Sequence, residues 1–200
     1  MTSDLRKKYE MILRHEEQFA YTLAKKVVKK PEASAWMILI PILFVHHIMK
    51  INQYKAGVKT FAENILGTKQ KALDKAYLEA ESGKKVNYEV EDYFSQVSLV
   101  ADEEKILAQK QVRAIRIMEE HYLAMLNVQG DALEDLIRGV YSNQKEYRQY
   151  LSRLAETEKE VNQYLMDNFH SSQESRIVVR KIEEENEALR EEELKFFFQH

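Results

Sequence analysis

From Leu133 to Leu165 the chain sets Leu133, Ile137, Val140, Gln144, Tyr147, Leu151, Leu154, Glu158, Val161 and Leu165 at steps that alternate between four and three. That rhythm keeps one stripe of a helix facing a partner, and over this length it reads as a coiled-coil-like seam. It predicts one long helix from about Asp131 to Phe169. The same alternation runs through Met37, Ile40, Phe44, His47, Ile51, Tyr54, Val58, Phe61 and Ile65, and a further helical stripe joins Leu5, Tyr9, Ile12, Glu16, Phe19, Leu23 and Val27.

Punctuation between the stripes is sparse, with only five Gly and two Pro. Pro31 ends the first helix, because the residue before a proline avoids helical geometry, and it suits the first turn of the next. Gly67 is expected to cap that second helix, a shorter one to span 68–82, and Gly83 to stop it. Residues 84–92 read as a polar connector. A helix over about 101–128 carries Leu107, Ala114, Met118, His121, Met125 and Val128 on one face. A final helix aligns Val179, Ile182, Asn186, Leu189 and Phe196, with Asn186 where one buried polar residue fixes register and Glu193 interrupting the stripe. The expectation is an all-α, elongated antiparallel helical bundle with long coiled-coil-like helices, about five to six of them. The last helix either folds back or dimerises.

Charge divides the chain. Residues 1–86 hold 16 Lys and Arg against 9 Asp and Glu, a net of +7, and residues 87–200 hold 14 against 24, a net of −10. We read 1–200 as a single helical domain, with a basic hairpin region at 1–86 and an acidic coiled-coil-like region at 87–200. Opposite charge lets the halves attract each other or lets one face an anionic partner. Nucleic acid is disfavoured, because Tyr54 and Phe61 in the basic stretch both fit the apolar seam and the overall basic excess is missing.

Residues 33–49, ASAWMILIPILFVHHIM, carry no formal charge in a chain that is 32% charged. The run only just reaches the length that crosses a bilayer. It has Pro41 at its centre and lysines on both sides, against the one-sided bias of a simple crossing. Two readings remain. One is a core helix kinked at Pro41. The other is a shallow hairpin lying on an anionic membrane surface, with Trp36, Leu39, Ile42 and Phe44 as its contact residues.

Chemistry is thinly represented. There is no cysteine, hence no thiolate metal site, disulfide or Cys nucleophile. The glycines are isolated and form no phosphate loop. Glu-x-x-His, the pattern of di-iron carboxylate bundles, does not occur. Glu16, His47, His121 and Glu158 interrupt the apolar stripes. A hairpin turning at Gly130 separates the levels of His121 and Glu158 by roughly 30 Å, too far to share an ion. Glu16 and His47 stand at equal distance from Pro31 and are expected to pair as a buried polar pair. No catalytic residue, cofactor or metal site is assigned.

The functional expectation is a non-enzymatic helical scaffold or interaction protein, self-associating as a homo-oligomer through the helix over 131–169 and the one after it or through the Trp36 region, or bound to a protein partner. The alternatives are a peripheral membrane protein using 33–49 and a metal-binding, ferritin-like bundle. The N-terminus runs straight into a charged amphipathic pattern, so the cytoplasm is the expected location, with membrane-peripheral placement under the second reading.

Overall fold

The computed structural model describes residues 2–28, 54–94, 101–169 and 172–198. Trp36, Leu39, Ile42, Phe44 and His47 lie outside the described residues, as does the kink at Pro41. The described residues form α1 (Thr2–Val27), α2 (Tyr54–Ser82), the single turn α3 (Val90–Tyr93), α4 (Asp102–Asn127), the short α5 (Leu133–Val140), α6 (Gln144–Asn168) and α7 (Gln173–Phe198). The protein is an all-α helical bundle.

Among the described residues five long helices close a ring, in the order α1, α2, α4, α6, α7 and back to α1. Their directions follow from the pairs that join them. Glu16 meets Lys69 and Tyr9 meets Asp74, so α1 and α2 are antiparallel. Arg153 meets Glu120 and Lys110 meets Glu160, so α4 and α6 are antiparallel. Arg148 meets Glu191 and Asn162 meets Glu183 across α6 and α7. His15 meets Glu193 and Lys26 meets Glu185 across α1 and α7.

A ring of five cannot alternate direction all the way round, so one neighbouring pair must run parallel. That pair is α2 and α4. Tyr93, between them in sequence, returns to the level of Lys71 and Lys75 on α2 and of Glu119 on α4. Short turns allow only antiparallel neighbours, and the connector after Gly83 supplies the longer return. It is more than polar filler: Tyr93 and Phe94 are buried in the main core.

α4 is the most enclosed helix, burying Leu107, Val112, Ile115, Met118, Tyr122 and Met125 among others. The main core draws on all seven helices, and α1, α2 and α7 share a second cluster around Phe19, Leu23, Phe61 and Leu189.

Three details correct the expectations from sequence. α2 runs through Gly67 without a break to Ser82, because apolar and small residues on both sides, Phe61, Ala62, Ala72 and Leu73, are buried against its neighbours. Packing outweighs the helix cost of about 1 kcal/mol for one glycine. Gly83, by contrast, has φ of 65° and ends the helix as expected. The long helix over 131–169 is two helices. Asn143 caps α6 by accepting from the backbone of Glu146 at 3.1 Å, and the Glu146 carboxylate accepts from the Ser142 backbone at 2.9 Å. This reciprocal cap starts a new helix although the seam continues across the break. Finally, the last helix folds back, and its buried edge is Leu189, Arg190, Leu194 and Phe197, with Phe196 turned outward. Glu193 faces His15 at 2.7 Å, and the apolar edge continues beside it at the 3.6-residue helical spacing.

Candidate functional site

The interior of the ring is polar at one level. Glu16 of α1 accepts hydrogen bonds from Lys69 of α2 and from the Tyr122 hydroxyl of α4, the latter at 2.7 Å. Desolvation alone would raise its pKa. The Lys69 ammonium, His15 and the two hydrogen bonds outweigh burial and hold the carboxyl at about 2. Lys69 also lies 4.1 Å from the centre of the Phe19 ring, a cation–π contact.

His121 sits behind Tyr122 in a box of tyrosines. Its ring stacks on Tyr150 with centroids 4.1 Å apart and flanks Tyr141 and Tyr147. Nδ1 lies 2.8 Å from the Tyr141 hydroxyl. Burial disfavours the imidazolium and lowers the pKa to about 3. Burial likewise pushes the hydroxyls of Tyr122, Tyr147 and Tyr150 well above their ordinary value. On the far wall Arg190 forks onto both oxygens of Glu158 at 2.8 Å. Such a bidentate pair fixes orientation as well as charge.

A second polar knot lies near the connector. Lys75 donates to Glu119 and to the Tyr93 hydroxyl, both at 2.8 Å, and that hydroxyl donates to Glu119 at 2.7 Å. It ties α2, α4 and the connector together, all three groups being buried.

The Glu16–His47 pairing falls outside the described residues, but both Glu16 oxygens are engaged by Lys69 and Tyr122. His121 and Glu158 are nearer in level than expected. His121 stacks on Tyr150, and Glu158 lies eight residues further along α6, about 12 Å, because the helix break at 141–143 puts the turn beside α6 rather than at Gly130. They remain apart, each with its own partner. Among the described residues no three acidic or histidine side chains are placed to hold a metal ion. Sequence reasoning missed Lys69, Tyr122 and Arg190, which donate the side-chain hydrogen bonds that Glu16 and Glu158 accept. Each stands next to, or one turn from, a stripe position, and no pattern marks such a residue in advance.

At the ring's outer edge, α1 and α7 enclose a groove of about 670 Å³ lined by Met11, Arg14, Leu133, Glu192 and Phe196 among others. Phe196 is 59% exposed. His15, paired with Glu193, forms part of its wall; desolvation lowers its pKa, but the hydrogen bond to Glu193 and the nearby carboxylates raise it above the ordinary value.

Among the described residues no helix is long and apolar enough to cross a membrane. No protein-family model matches the chain, and no curated protein or solved structure matches it.

Proposed function

We propose that this protein is a non-enzymatic helical scaffold that associates with a second copy of itself through the α1–α7 groove. The observation that carries the reading is Phe196, a large aromatic side chain 59% exposed beside an apolar floor of Met11 and Leu133. Aromatic anchors beside pockets are where binding energy concentrates. The rims differ in charge: α1 contributes Lys7 and Arg14 against the single acid Glu10, and α7 contributes Glu192. A two-fold axis along the groove sets the α1 edge of one copy against the α7 edge of the other, so the surface is self-complementary. The interior supports a non-catalytic reading. An acid or base at neutral pH works best with a pKa near 7, whereas Glu16 is held at about 2 and His121 at about 3.

Light scattering across a concentration series tests this. The parent is expected to dimerise, Phe196→Glu to weaken the dimer, and Arg14→Glu and Glu192→Arg each to weaken it but to restore it together. A strict monomer at high concentration removes the reading. An anionic membrane surface is the alternative partner, supported by the charge-free run 33–49 between lysines. Under that reading the parent floats with anionic liposomes at low salt, while Trp36→Glu and Phe44→Glu do not; a parent that stays at the bottom of the gradient excludes it.

A further inference from the structure

One cavity inside the ring is built differently from the rest of the interior. It has a volume of about 170 Å³ and lies where α2, α4, α6 and α7 face one another. Phe61, Ile65, Met118, Val161, Val179 and Ile182 give it an apolar wall. Asn162 and Asn186 line it as well, and so do two amides from the neighbouring helices α2 and α4, Asn64 and Gln111. Both are more than nine-tenths buried, at 8% and 6% exposure. Yet among the described residues Asn64 Nδ2 and both Gln111 side-chain atoms have no hydrogen-bond partner.

Buried polar atoms are almost always paired, and leaving one unpaired is costly. Three such atoms around one cavity therefore describe what the cavity is complementary to. We propose that it binds a small uncharged molecule with an apolar body and an amide-type edge, a primary carboxamide or a lactam. Gln111 offers a donor and an acceptor side by side, which an amide's own C=O and N–H match in a two-point contact. Asn64 then donates to the remaining lone pair of the ligand carbonyl.

The ligand's charge follows from the two cations at the cavity's edge. Lys69 is bound to Glu16, and Arg190 is bound at both oxygens by Glu158. Neither cation is left over for a carboxylate, and Glu158, which also lines the cavity, repels one. The size follows from the volume: a buried apolar cavity of about 150 Å³ accepts benzene, so a body of one small ring with its amide group fits. Lys69 and Arg190 also divide this cavity from the Glu16 centre, since both line each space.

Benzamide, ethylbenzene and benzoate at millimolar concentration, added to the full chain, separate the possibilities. Thermal unfolding and the side-chain amide resonances of Asn64 and Gln111 are the readouts. Benzamide is expected to raise Tm and to move both amide resonances. Ethylbenzene, with a similar body and no amide, should bind about tenfold more weakly or worse, and benzoate should leave both readouts unchanged. Gln111→Leu should raise the Tm of the ligand-free protein while weakening benzamide about tenfold. Asn64→Leu provides the same test should Gln111→Leu not fold. The proposal is overturned by unmoved amide resonances, by ethylbenzene or benzoate binding as well as benzamide, or by benzamide affinity that survives the substitutions. None of these results depends on whether the protein dimerises.

Discussion

Glu16 ties three helices together, because Lys69 and Tyr122 reach it from two others. Replacing it by leucine strands the Lys69 ammonium in the core. Breaking one side of a buried pair costs about 3–5 kcal/mol, so Glu16→Leu is expected to lower urea-unfolding stability by that order; a loss under about 1 kcal/mol contradicts this account. Acid acts on the same groups. His121 stays neutral in the fold down to about pH 3, but unfolded it takes a proton near its ordinary 6.5. Stability therefore declines as pH falls below 6.5. Glu16, ionised down to about pH 2 when folded and protonated near 4.5 when unfolded, adds a second loss below 4.5. His15 runs the opposite way: its raised pKa adds stability that is complete below 6.5 and fades as pH rises through the raised value. Urea midpoints between pH 3 and 8 should show the acid-side decline, and His121→Phe should flatten its upper part. Glu16 and His121 were legible as polar interruptions of apolar stripes. Their partners were not, because Lys69 and Arg190 resemble any solvated lysine or arginine until a neighbouring helix is set against them.

At the scale of the helix, the capping chemistry at Ser142–Glu146 decides where α6 begins. Removing an N-cap acceptor costs about 1 kcal/mol. Asn143→Ala should lower the thermal midpoint and increase hydrogen exchange in the first turn of α6, with the rest of the helix unaffected; unchanged protection there would show that packing alone sets the boundary. The Asn-x-x-Glu signature was present in the sequence. It was masked by the seam, since Val140, Gln144 and Tyr147 keep their three-and-four spacing across the break. Gly67 shows the converse, a helix-ending residue overridden by burial on either side. The stripes of α1 and α4 translate directly into buried faces: Tyr9, Ile12, Phe19, Leu23 and Val27 on one, Leu107, Met118 and Met125 on the other. The end of α7 does not: its buried edge lies one position beyond the heptad stripe, at Leu194 and Phe197, with Glu193 paired to His15 beside it.

The whole molecule is held by a ring whose odd number of helices sets much else. Five helices leave a wider interior than the four of a common bundle, and that space holds the Glu16 centre, the tyrosine box and the amide-lined cavity. The basic and acidic halves meet across the ring through Lys26–Glu185, Lys75–Glu119 and His15–Glu193. Because one core cluster draws on every helix, unfolding in urea should be a single transition, with helical circular dichroism and tyrosine fluorescence changing together. Two separated midpoints would mean that the halves unfold independently. The all-α class and most of the buried faces were readable from spacing; the helix boundaries at Gly67 and 141–143 were not, nor was the parallel α2–α4 pair, since it depends on closing an odd ring, a property of no single segment.

Closure of the ring also joins the first helix to the last. The faces of Phe19, Leu23 and Val27 are completed by Val178, Ile182 and Leu189, residues more than 150 positions downstream. On the ribosome, α1 and α2 emerge long before α7 exists. At about 5–20 residues per second, the seam that α7 covers stays open to other chains for several seconds or more. Newly made copies are therefore most vulnerable to mispairing during synthesis, and a chaperone that shields α1 through that interval would protect the yield of folded protein.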